Sequence, residues 1–254
     1  MSYRTIELEI LRFQPETDKE PWFQDYRVPC EEDWVVLDAV NYVKDHLDGT
    51  LSYRWSCHMA VCGSCSMVID GEPRLACKTF VRDLPEGKIR IEPLTNFPIE
   101  RDLVVVLDDF MEKLQRVKPY IIRDEQRSLA KGEYLQTPAQ LAKYKQYTLC
   151  INCCCCYAAC PEYALRPSFI GPAALALAHR YNQDSRDCGA REREDVVASE
   201  EGVWDCSFAD ACSQVCPEHV DPSGAIQQMK IASTVSWYQD LLGLRKKTAG
   251  EEKK

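Results

Sequence analysis

No stretch of this 254-residue sequence approaches the ~20 consecutive apolar residues that a membrane-spanning helix needs. The opening MSYRTIELEI also lacks the positive start and apolar run of a secretory leader. The expectation is a chain that stays in a reducing compartment. Positive charge is short as well: 31 Lys and Arg stand against 40 Asp and Glu. The resulting net charge of −9 argues against a nucleic-acid binder, which would need a basic face to meet phosphate. No internal repeat shows outside the cysteine motifs. What remains is an ordinary globular composition, 45% hydrophobic and 28% charged, long enough for one large or two modest domains.

Against these absences stand 15 cysteines. An odd number in a chain without a secretory leader argues against a disulfide framework and for metal ligation. Zinc and iron–sulfur clusters are the two candidates, and spacing separates them. Cys57, Cys62, Cys65 and Cys77 form an early block. Ten more lie between 150 and 216, and only Cys30 falls outside both blocks.

The early block has a β-rich setting. Ile6, Leu8 and Ile10 alternate with polar residues as in a half-buried strand, and a second strand ends near Val28-Pro29. A helical stripe from Val36 to Leu47 closes at Gly49. Ser66 to Ile69 runs into the hairpin signal Asp70-Gly71, Arg74-Leu75 starts the return, and Lys88 to Glu92 reads as a final edge strand. Beyond residue 102 the pattern turns helical: Leu103–Lys118, Pro138–Tyr147, Ala173–Tyr181 and Ala225–Leu242 read as helices. A polar connection runs from Arg123 to Thr137, and Asp221-Pro222 opens the last helix. The expected fold class is α+β, with a ferredoxin-like domain over 1–104, a helical domain over 105–244 and a charged, frayed tail over 245–254.

RWSCHMAVCGSC spaces Cys57, Cys62 and Cys65 as C-x4-C-x2-C, the plant-type ferredoxin spacing for a [2Fe–2S] cluster, with Cys77 as fourth ligand. Gly63 lets the backbone come close and offer N–H groups to sulfur. Structural zinc sites favour two separated pairs instead. A Rieske centre needs two histidines, so His58 is read as a surface neighbour.

CINCCCCYAACP carries Cys150, Cys153, Cys156 and Cys160 before Pro161, the bacterial run C-x2-C-x2-C-x3-C-P whose fourth cysteine serves the other cluster of a pair. WDCSFADACSQVCP repeats it with Cys206, Cys212 and Cys216, but Ala209 stands where a cysteine is due. Exchange then gives Cys150, Cys153, Cys156 and Cys216 to a [4Fe–4S] cluster. Cys160, Cys206 and Cys212 are left as three ligands, which suit a [3Fe–4S] cluster. Cys154 and Cys155 are read as non-ligating; the alternative is that one of them, or Cys188, completes a second four-iron site. Cys30 and Cys188 are read as small buried hydrophobes.

These motifs and the stretches between them (LSYRWSC, RLACKTF, NFPIERDLVV, FIGPAA, HRYN-x-DSRD, CP-x-HVDP) resemble the iron–sulfur subunit of succinate dehydrogenase and fumarate reductase over nearly the whole chain. The resemblance implies a β-grasp plant-type ferredoxin domain followed by an all-α bacterial-ferredoxin-like domain. It implies a flavoprotein partner carrying FAD, one or more membrane-anchor subunits, and a peripheral place on the cytoplasmic face of the bacterial membrane. Electrons would run between FAD and a membrane quinone through the three clusters. Ubiquinone-using members carry a tryptophan and a histidine where this sequence has Leu165 and Ser207. The fumarate-reductase likeness instead implies Gln227 and Lys230 beside a quinone, menaquinone by that likeness. No acid–base constellation for a dicarboxylate is visible, so no catalytic residue is expected here. The competing readings are an iron–sulfur subunit of another flavin-dependent oxidoreductase and a binding module whose metal is structural. Iron and acid-labile sulfide analysis tests the cluster reading against zinc: iron with sulfide is expected, and zinc without sulfide overturns it.

Overall fold

The computed structural model describes residues 4–123 and 128–244. The tail from 245 to 254 and part of the connection from Arg123 to Thr137 lie outside the described residues. In the first part, alternation sets the strands. β1 (Arg4–Arg12) turns Leu8 and Ile10 fully inward, and β2 (Trp22–Cys30) pairs with it antiparallel, Ile6 opposite Val28. α1 (Val36–Tyr42) follows, its start held by Asp38, whose carboxylate accepts the Val35 N–H at 2.9 Å. A π-helical turn, Val43–Leu47, ends it. Gly49 is not the left-handed cap expected of it: Asp48 leaves the turn extended at φ −148°, and Leu47 is exposed.

β3 (Ser66–Ile69) and β4 (Glu72–Leu75) form the expected hairpin, with Asp70 and Gly71 at φ 49° and 82°, as a two-residue primed turn requires. β5 (Lys88–Glu92) departs from expectation. The sheet order is β2-β1-β5-β3-β4, so β5 lies at the centre, parallel to β1 and antiparallel to β3. Its charged alternate residues imitate an edge, but Ile89 and Ile91 are buried. α1 crosses this mixed sheet, and Leu8, Ile10, Val28, Leu37, Val40 and Ile91 form a β-grasp core without solvent exposure beyond 0%.

The expected helix from Leu103 starts later. β6 (Ile99–Arg101) and β7 (Val104–Val105) pair first, around a tip at Asp102, and α2 covers only Asp108–Arg116. The reason is burial: Asp102 is fully enclosed and meets the Arg12 guanidinium Nε at 3.0 Å. It also accepts the N–H groups of Phe13 and Ser52 at 2.9 and 2.8 Å. Arg12 reaches Tyr26, Thr50 and Asp48 as well. Against burial, which pushes it up, the hydroxyl and N–H of Thr50, then the Tyr26 hydroxyl and Arg12, hold the Asp48 carboxyl well below the usual carboxylate range. One cation therefore ties β1, β2 and the segment leading into the first cysteine loop.

In the second part the helix expected over Pro138–Tyr147 breaks into α3 (Pro138–Ala142) and a 3-10 stretch, Lys145–Leu149. Then come α4 (Cys155–Ala158), α5 (Pro161–Leu165), α6 (Pro172–Asn182), α7 (Ala190–Val197), α8 (Ala211–Gln214) and α9 (Pro222–Leu241). α9 opens as read from the sequence, Asp221 capping the Gly224 N–H at 2.8 Å. The HRYN-x-DSRD stretch is a frame. Arg193 makes a two-pronged pair with Asp187 at 2.8 and 2.9 Å and donates to the carbonyls of Lys118 and Tyr120. No described helix is long and apolar enough to cross a membrane.

Replacing Asp102 by Ala leaves Arg12 and two backbone N–H groups without their acceptor. The expected loss is ~3–5 kcal/mol, the scale for breaking a buried pair, read as a lower denaturant midpoint. Glu7→Ala, which removes an exposed partner of Arg27, is expected to change that midpoint little.

Candidate metal centres

The first loop hangs between α1 and β3. His58 and Ala60 take left-handed conformations, φ 56° and 59°, and curl the backbone so that its N–H groups point inward. Met59 and Val61 donate to Cys57 Sγ at 3.4 Å, Ser64 to Cys62 Sγ at 3.5 Å, and Cys77 to Cys65 Sγ at 3.5 Å. Cys57 also meets Cys62, and Cys65 meets Cys77, so the four thiols form one group. The Ser64 hydroxyl and adjacent N–H groups pull the Cys62 thiol down to about 6, whereas burial pushes Cys65 up to about 12. Thiols ringed by N–H donors fit a cluster, whose sulfurs need such donors and whose iron holds thiolates deprotonated. His58 pairs with Asp38 at 3.0 Å and stays on the surface.

The other two runs are one loop built twice, at an offset of 56 residues, since Cys150, Cys156 and Cys160 map onto Cys206, Cys212 and Cys216. Asn152 and Cys154 are left-handed at φ 54° and 63°; their counterparts Phe208 and Asp210 are at 65° and 62°. α4 and α8 match as well, and the Tyr157 N–H to Cys154 carbonyl bond recurs as Ser213 to Asp210. Ala209 sits where Cys153 sits, with the backbone unchanged.

The side chains of these runs line two separate spaces. One enclosed space is lined by Cys150, Cys153, Cys156 and Cys216, with Cys154 at its wall. A second is lined by Cys160, Cys206 and Cys212, with Ala209 beside them. None of Cys154, Cys155 and Cys188 lines that second space. Burial pushes Cys150 up to about 11 and Cys212 to about 12, while a bond from Cys155 draws Cys153 down to about 7. No group of three or more His, Cys, Asp or Glu among the described residues could hold a single metal ion. A cluster, whose own iron and sulfide fill the gap between thiolates, asks for wider spacing than zinc. Cys30 is fully buried as expected, but Cys188 is exposed, its place fixed by a backbone bond to Ile122.

Comparison with known proteins agrees with these loops. Residues 7–112 match the model of a 2Fe-2S iron-sulfur cluster binding domain, and residues 146–220 that of a 4Fe-4S dicluster domain. The fumarate reductase iron-sulfur subunit of Mycobacterium tuberculosis is 52% identical over 237 residues, covering 93% of this chain and 96% of that one. The chain belongs to the family of fumarate reductase and succinate dehydrogenase iron–sulfur subunits. The fumarate reductase subunit of Escherichia coli O6:H1 is 53% identical, covering 91% of this chain and 94% of its own. The succinate dehydrogenase subunit of Coxiella burnetii is 38% identical, covering 87% and 94%. Among solved structures, a chain of the Mycobacterium smegmatis Sdh1 complex in the apo form superposes with a TM-score of 0.81 at 26% identity, covering 93% of this chain and 98% of that one.

Within this family member the structure gives Gly63, read from the sequence as admitting a close backbone approach, a further reason, and it adds Asn96. Gly63, left-handed at φ 74°, has no room for a side chain: a Cβ would lie 2.9 Å from Cys153 Cα and Cβ and from the Ile151 carbonyl. The first loop therefore rests its backbone on the second. The Asn96 side chain donates to the carbonyls of Tyr157 and Ala158 at 3.0 and 2.9 Å, closing the end of α4. Only repeated pairing across loops would have revealed either from sequence. Gly63→Ala combines a left-handed strain of ~1–2 kcal/mol with this backbone collision. It is expected to lower the thermal midpoint and the [2Fe–2S] content of the purified complex, measured by calorimetry and by reduced-state EPR.

Proposed function

We propose that this chain relays single electrons between the FAD of a flavoprotein subunit and a membrane quinone, in a peripheral complex held by anchor subunits at the cytoplasmic face of the membrane. The observation that carries the reading is the sorting of thiols into a four-cysteine and a three-cysteine space on one duplicated loop. Cys57, Cys62, Cys65 and Cys77 would hold [2Fe–2S]; Cys150, Cys153, Cys156 and Cys216 would hold [4Fe–4S]; Cys160, Cys206 and Cys212 would hold [3Fe–4S]. The clusters, when bound, supply one-electron steps between two two-electron couples. The protein's part is to shield and hydrogen-bond them. Ala209 withholds the fourth thiolate without disturbing the loop.

A quinone site beside the three-cysteine space is supported by α9. Lys230 donates to the Cys206 carbonyl at 2.6 Å, and the Gln227 amide lies 4.0 Å from Cys206 Sγ. Exposed Leu165, Trp204, Phe208 and Ile231 give the same region an apolar surface. Lys230 and Gln227 would offer donors to a quinone carbonyl at the edge of this apolar surface. Fumarate reductase or succinate dehydrogenase activity would then belong to the complex, with no acid–base residue supplied by this chain.

EPR of the purified complex tests the assignment. Oxidised protein is expected to show a near-isotropic [3Fe–4S] signal, and Ala209→Cys to replace it with a second reduced [4Fe–4S] signal. A wild type with two four-iron signals overturns the three-iron assignment and points to Cys154, Cys155 or Cys188. Lys230→Met is expected to raise KM for quinol at least tenfold while leaving all three cluster signals in place.

A further inference from the structure

The ligand sets of the first and second sites touch through residues that each adjoin a candidate ligand. Gly63 follows Cys62 and lies against Cys153. Lys78 follows Cys77, and its Nζ donates to the carbonyl of Pro217, which follows Cys216, at 2.5 Å. Residues 78 and 217 are separated by 139 positions, so this bond is made only in the folded molecule. The Lys78 ammonium is thereby held at the boundary between the two ligand sets. Its backbone is fixed too: the Lys78 N–H donates to the Leu75 carbonyl at 3.0 Å, and the Cys77 N–H to Cys65 Sγ.

We propose that Lys78 is a positioning residue that sets the potentials of the first and second clusters together, by latching their two ligand sets at Cys77 and Cys216 and placing one positive charge between them. The inference rests on the cluster reading given above. Each reduction adds one electron to a site already made anionic by four thiolates, and a nearby cation favours the reduced form. Two features make the charge specific. It is directed by a carbonyl rather than neutralised by a carboxylate, since the Pro217 carbonyl is its hydrogen-bond acceptor. And it adjoins the ligands of two of the three sites, because the three-cysteine space is lined by neither Lys78 nor Pro217. Lys78 is exposed, so salt weakens the effect. Its removal leaves a half-buried carbonyl that water can reach, so the variants are expected to fold.

The test is an EPR-monitored redox titration of the purified complex at low and high ionic strength. Lys78→Gln keeps a donor and loses the charge, Lys78→Met loses both, and Lys78→Arg keeps both. Gln and Met are expected to move the [2Fe–2S] and [4Fe–4S] midpoints negative, most at low salt, with the [3Fe–4S] midpoint in place; Arg is expected to match wild type. Unmoved midpoints in Gln and Met overturn the proposal. So does an equal shift of all three, which marks general loosening, or loss of the [2Fe–2S] signal in both variants while the others persist. A wild type lacking these signals defeats the cluster reading instead, so the two failures are distinguishable.

Discussion

Thiolates offered by one short loop can surround a cluster only if the backbone between them bends toward the cluster as well. That constraint shapes every part of this chain. It sets left-handed residues at 58, 60, 152, 154, 208 and 210, conformations that non-glycine residues seldom adopt, and turns main-chain N–H groups onto sulfur. Loops bent this way bury little apolar surface of their own. They depend on rigid neighbours, and the rest of the fold supplies them: the β-grasp sheet under the first loop, α6 and α9 around the other two.

The supports are ionic at two places where apolar packing alone would not fix a loop. Arg12 and Asp102 join the sheet to the segment entering the first cysteine loop. Arg193 and Asp187 pin the chain after α2 to the end of α6. Both pairs are enclosed and fully hydrogen-bonded, the circumstance in which a buried pair specifies one arrangement rather than merely adding stability. The cores interlock in addition. Leu94 and Phe97 pack with the helices although they precede β6, and Leu103 packs with the sheet although it follows.

Much of this was legible in the sequence. The cysteine spacing named the loops, the Asp70-Gly71 turn and the Asp221-Pro222 start fell where read, and the missing cysteine at 209 stood out against its template. What the sequence hid was long-range. β5 looked like an edge because Lys88, Arg90 and Glu92 alternate with its isoleucines, yet its neighbours are set by pairing with residues some 20 and 80 positions away. The helix after Leu103 was read too early because the burial of Asp102 against Arg12 outweighs local helical periodicity. Cys188 carried no sign of exposure, and Gly63 no sign that its reason is Cys153.

Two copies of one loop, facing each other and exchanging their last cysteines, would make a pair with two-fold symmetry, and such a pair has no preferred end. Here the template of cysteines is broken at a single position. With alanine at 209 and the backbone intact, the halves differ in what they can hold but not in how they are built. An inequality between neighbouring stations is what a relay needs to have a beginning and an end, and under the proposed assignment it would come by omission.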